Sequence, residues 1–120
     1  RGVDIAAPLG SPVRALRSGR VITVTKHRGM GRYVELQHGG RMRSLYAHLD
    51  TIVVRPGDRV RQGQVIGTVG KTGNARHTWI TPHVHLEVLR AGKPIDPAAL
   101  GLALVVPDNK TTIAQADVED

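Results

Sequence analysis

His83 and His85 stand two residues apart in Pro82-His83-Val84-His85-Leu86-Glu87. A strand turns residues at that spacing to one face with Cα atoms roughly 6 to 7 Å apart, so both imidazoles can reach one metal ion, or a metal and its water. An isolated His-x-His reads more readily as two exposed histidines on a solvated face. Asp4 offers a carboxylate in Gly2-Val3-Asp4-Ile5, and His48 ends the apolar run Leu45-Tyr46-Ala47, at a strand terminus where sites are commonly assembled. Taken singly, Asp4 means little and His48 reads as a hydrogen-bonded structural histidine. The chain has no cysteine, which excludes disulfides, thiolate metal sites and cysteine nucleophiles, so any metal must be held by His, Asp or Glu. A zinc site with an open position lowers the pKa of its water to about 7 and polarises a carbonyl, and a neighbouring imidazole with an ordinary pKa of about 6.5 can take the proton.

The elements that must carry these residues read as strands. Val and Ile recur, Gly appears 14 times and Pro 7 times, and no window holds apolar residues at helical spacing for three turns. The pattern predicts strands over 11–16, 19–26, 32–38, 44–48, 58–61, 64–69 and 82–89, with tight turns at Arg55-Pro56-Gly57-Asp58 and Arg61-Gln62-Gly63-Gln64. Helix is confined to a turn over 96–100, where Asp96 caps and Pro97 takes the first helical position. Gly19-x-Val21-Ile22 and Gly63-x-Val65-Ile66 form a weak repeat, readable as two related hairpins or as two unrelated turns. With Tyr33, Tyr46 and Trp79 the only aromatics among 120 residues, the expected core is aliphatic. That length supports one domain, over 1–100, and the polar, aperiodic end predicts an extension or linker over 101–120. No apolar run approaches the ~20 residues that cross a bilayer, and a chain opening on Arg1 reads as an excised domain or processed product.

Six segments, in order, resemble the M23 (lysostaphin or LytM type) zinc endopeptidases. They are Arg1-Gly2-Val3-Asp4-Ile5-Ala6-Ala7-Pro8, Leu45-Tyr46-Ala47-His48-Leu49, Gly57-Asp58-x-Val60-x-x-Gly63-Gln64-x-Ile66-Gly67, Thr72-Gly73, the Pro82 to Glu87 stretch and Pro94-Ile95-Asp96-Pro97. The resemblance implies an all-β fold, with antiparallel sheets of the duplicated-hybrid-motif type forming a substrate groove. It also implies a Zn²⁺-dependent hydrolase of peptide cross-links in bacterial peptidoglycan, periplasmic or extracellular and associated with the cell wall. The implied metal ligands are Asp4 and His85, and the implied catalytic histidines are His48 and His83. The His that opens the family's His-x-x-x-Asp motif falls just before Arg1, so two ligands are expected from this chain where a catalytic zinc normally has three. A boundary set one residue late accounts for this best, because Asp4, His48, His83 and His85 are all retained.

The stretch from Asn74 to Thr81 exceeds the short link that the family places before its Pro-His-x-His strand. It is expected to wall the groove, with His77 and Trp79 contacting substrate peptide or, alternatively, with Trp79 packed back over the core. His27 reads as a solvated turn residue and His38 as the end of a strand. Three rival functions remain. The first is an inactive LytM-like regulator that activates a cell-wall amidase partner. The second is a lipoyl or biotinyl carrier, whose modified lysine would fall at Gly73 while Lys71 lies two residues early. The third is nucleic-acid binding, suggested by a net charge of +7 but lacking interleaved aromatics. The charge suits an anionic wall, with stem or cross-bridge peptides as partners and any membrane anchor in flanking segments.

Overall fold

The computed structural model describes residues 2–97, together with the backbone of two short strands at 102–103 and 115–116. The described residues form eleven antiparallel strands. They are β1 (Val3–Ala6), β2 (Pro12–Arg14), β3 (Gly19–His27), β4 (Gly31–Gln37), β5 (Met42–Ile52), β6 (Arg59–Val60), β7 (Val65–Val69), β8 (His83–Arg90), β9 (Lys93–Ile95), β10 (Leu102–Ala103) and β11 (Gln115–Ala116). The first nine make one sheet in the order β1-β8-β5-β4-β3-β6, with β7 joining β5 to β2 and β9 lying beside β8. The all-β, antiparallel expectation is met. Between β7 and β8 runs a single 3-10 turn, Gly73–Arg76.

Alternation sets the faces. Along β8, Val84, Leu86 and Val88 are buried in the core, while His83, His85 and Glu87 share the opposite face. On β1, Ile5 is buried and Asp4 is exposed. The core is mostly Val, Leu and Ile, but Tyr46 sits fully buried within it. Its hydroxyl accepts the Leu16 N–H at 2.9 Å and the Ser44 hydroxyl at 2.7 Å, and Ser44 Oγ lies 2.7 Å from His38 Nε2. A phenol enters an otherwise aliphatic interior because its polar end is satisfied there.

β5 changes partner midway. Met42 to Ala47 pair with β8, whereas Leu49 and Ile52 pair with β7. At the changeover the ladder with β4 slips, since Arg32 faces Leu49 but Val34 faces Tyr46, so Ala47 and His48 together oppose Tyr33. This is a β-bulge, and it puts His48 at φ 65°, a left-handed conformation uncommon outside glycine. The His48 N–H donates to the Met30 carbonyl at 2.8 Å and the His48 carbonyl accepts the Gly70 N–H at 3.1 Å, which hold the backbone there.

Several boundaries differ from the sequence reading. β2 keeps three of the six residues expected over 11–16, because its ladder with β7 slips between Val13 and Arg14. β1 and β9 are added, the latter an edge strand that tolerates Pro94. The two Gly-x-Val-Ile segments differ in structure where their glycines stand. Gly19 is an extended residue with the Gln37 carbonyl where a Cβ would stand, while Gly63 is a left-handed turn open to solvent. Within 101–120, β10 and β11 pair with each other. Of the turn over 96–100, residues 98–100 lie outside the described residues.

Candidate metal centre

Register builds the site. Asp4 on β1 is the cross-strand partner of His85 on β8, and Ala47 on β5 is His85's partner on the other side. His85 Nδ1 therefore meets Asp4 Oδ1 at 2.6 Å. His83, one repeat along the same face, has its Nε2 3.8 Å from the same oxygen. The bulge delivers His48 from β5, its ring edge-on to His83 with centroids 5.0 Å apart and 6.2 Å from the ring of His85. Asp4, His48, His83 and His85, far apart in the chain, thus converge on one spot.

Each imidazole is anchored through its outer nitrogen. His48 Nδ1 donates to the Thr72 carbonyl at 2.8 Å, and His83 Nδ1 to the Thr81 carbonyl at 2.8 Å. Both rings therefore carry a proton on Nδ1, which leaves Nε2 as the nitrogen turned away from the backbone carbonyl. His85 is anchored the other way round, with Nε2 3.0 Å from Glu87 Oε2 and Nδ1 facing Asp4. Burial, the largest influence, lowers the pKa of His48 below its ordinary 6.5, and nearby His83 and His85 push it the same way against the Thr72 hydrogen bond and Asp4. His48 is accordingly neutral near pH 7.

The donor set suits a zinc ion. His85 gives Nε2 to the Glu87 carboxylate and sets Nδ1 beside the Asp4 carboxylate, and a carboxylate behind a histidine is the device by which proteins orient zinc ligands. Asp4 and His85 would hold it. Among the described residues no three His, Asp or Glu side chains form a group placed to hold a metal ion. Glu87, buried against His85, carried no role in the sequence reading. Strand alternation placed it on the His83 and His85 face and was the signal available. The carbonyls of Thr72 and Thr81 have no side-chain signature and could not have been found.

His77 and Trp79 lie on the loop after the 3-10 turn, stacked on each other, with Trp79 exposed rather than packed on the core. His38 follows β4 and is buried, and the exposed His27 accepts the Gly29 and Met30 N–H groups through Nδ1 at 3.0 and 3.1 Å, a turn role.

The family model for peptidase family M23 matches residues 1–97. The peptidoglycan DD-endopeptidase ShyB of Vibrio cholerae is 37% identical over 99% of this chain and 28% of its own length. The chain thus spans about a quarter of the curated relatives that it matches. Among solved structures, a zinc containing peptidase from Vibrio cholerae superposes with a TM-score of 0.74 at 39% identity, over 88% of this chain and 30% of that one. The catalytic domain of the antimicrobial peptidase lysostaphin from Staphylococcus simulans superposes with a TM-score of 0.72 at 33% identity, over 82% of this chain and 75% of that one. The match over most of the chain, with the same fold at more than 30% identity, makes this chain a member of peptidase family M23.

Proposed function

We propose that this domain is a zinc-dependent endopeptidase that hydrolyses peptide cross-links of bacterial peptidoglycan, working in the periplasm or outside the cell. The observation that carries the reading is the convergence of Asp4 and His85 with two imidazoles, His48 and His83, whose Nδ1 hydrogens are both tied to backbone carbonyls so that both Nε2 atoms face the same spot. The name of ShyB, a peptidoglycan DD-endopeptidase, supports the substrate class.

Asp4 and His85 hold the ion in this reading, with a third ligand from the residue before Arg1, and Glu87 fixes the His85 ring through Nε2. When bound, zinc supplies Lewis acidity at the scissile carbonyl and acidifies water at neutral pH. His48, neutral because it is partly buried, receives the proton from the attacking water at Nε2. His83 orients that water by accepting a hydrogen bond at its own Nε2, and the proton taken up by His48 passes to the amine nitrogen as the C–N bond breaks. The open sheet face and the loop wall at residues 73–80 admit an extended peptide.

A non-catalytic regulator of a wall amidase has no chemical need for two imidazoles prepared as proton acceptors, so the enzyme reading stands first. The test is metal analysis and turnover of purified peptidoglycan by the chain extended N-terminally by several native residues. Zinc at one equivalent with released peptides is expected. A metal-free extended protein that releases nothing but stimulates an amidase would replace this reading with the regulator.

A further inference from the structure

Two imidazoles of the site are fastened to opposite ends of one loop. His48 is bound to the Thr72 carbonyl and His83 to the Thr81 carbonyl, so residues 73–80 arch from one ring to the other. Within the loop a turn closes where the Ile80 N–H donates to the His77 carbonyl at 3.1 Å. That turn brings the side chains of His77 and Trp79 together, with ring centroids 4.5 Å apart and planes 11° from parallel. Trp79 is nevertheless 78% exposed.

A near-parallel stack covers one face of the indole and leaves the other to solvent. The exposed aliphatic side chains Leu9 and Val53 belong to no such arrangement. The largest apolar ring of the chain is thus held in water, flat and braced from behind, with its open face available for stacking. The receiving surface is a bicyclic plane with negative π density, and its indole N–H makes no hydrogen bond among the described residues. A short aliphatic peptide side chain covers only part of such a plane. A pyranose ring matches it, because its axial C–H bonds carry slight positive charge toward the π face and its hydroxyl and acetamido oxygens can accept from the indole N–H.

We infer that Trp79, braced by His77, is a stacking platform for an N-acetylhexosamine ring of the glycan strand that bears the peptide to be cut. This rests on the peptidoglycan reading above, since peptide cross-links spring from sugar chains and a peptide at the imidazoles brings its sugar to the loop tied to them. The ligand is the sugar face, and the loop reads it separately from the peptide groove.

Trp79 is the only tryptophan of the chain, so its emission reports on this position alone. The chain is titrated with a β-1,4-linked N-acetylglucosamine tetramer and, separately, with a free stem peptide. A saturable emission change with the tetramer is expected. In calorimetry, Trp79→Ala should weaken tetramer binding by about tenfold while Trp79→Phe keeps most of it, with far-UV circular dichroism confirming that both variants fold. Emission that ignores the tetramer, a response to the peptide alone, or a Trp79→Ala chain that binds the tetramer as tightly as the parent would each overturn the platform. The tetramer carries no peptide bond and its binding needs no metal. An N-terminally extended chain that binds sugar but cuts no cross-link therefore sinks the peptidase reading and leaves the sugar platform standing, and an extended chain that cuts with a silent Trp79 does the reverse.

Discussion

At the scale of single residues, His48 combines two strained properties. It is partly desolvated and it occupies a left-handed backbone conformation within a strand. Because its folded pKa lies below the ordinary 6.5, the unfolded chain binds more protons than the folded one in the interval beneath that value. Stability is therefore full above about pH 6.5 and declines as pH falls from there through the folded pKa. The urea midpoint should drop between pH 8 and pH 5.5, and His48→Gln should flatten that part of the curve. An unchanged slope in the variant would deny His48 this role. The backbone makes a second forecast, in which His48→Gly is more stable than His48→Ala by about 1 kcal/mol, although glycine normally weakens a strand. For the two members of His-x-His the expected effects separate. His83→Ala abolishes hydrolysis and keeps zinc, while His85→Ala loses both, read by metal content beside turnover. Equal zinc loss in the two would contradict the roles assigned to them.

At the scale of elements, Thr72 is the junction on which the loop and His48 depend. Its carbonyl accepts from His48, while its hydroxyl donates to the Leu49 carbonyl at 2.8 Å and accepts the Arg32 N–H at 3.0 Å. Thr72→Val keeps the shape and the carbonyl but orphans those two backbone groups. It should cost about 0.5–1.5 kcal/mol in a denaturant titration and lower turnover more than zinc content. How far such features can be read from sequence depends on whether a periodicity announces them. β8 was readable because its alternation is complete and its polar members are chemically conspicuous. β1 was not, since four residues with an exposed Asp4 make too short a pattern. The bulge in β5 was hidden because Ala47 and His48 carry no glycine or asparagine to advertise a left-handed residue. The stretch before β8 was readable as a long link, but its fastening to two imidazoles runs through carbonyls that every residue possesses.

At the scale of the whole molecule, the histidine cluster and the interior are joined through β5. Tyr46 is paired on that strand two residues before His48, and its hydroxyl takes up the Leu16 N–H and the Ser44 hydroxyl in the core. Tyr46→Phe removes the acceptor from a buried N–H and is expected to lower stability by about 1–3 kcal/mol, with far-UV circular dichroism little changed. Retention of full stability would mean that water or a local shift replaces the phenol.

The changeover of β5 from β8 to β7 has a consequence for how this scaffold can diversify. One residue gained or lost between Met42 and Ala47 would exchange inward and outward side chains along the half-strand that backs His85, evicting Tyr46 from the interior and turning its neighbours over. Length variation is thus barred from the strand and left to the connections at each end of the sheet. Changes in what the surface receives should arise there, by lengthening or shortening the arch after β7, while His48 stays where the kink in β5 seats it and His83 and His85 where β8 holds them.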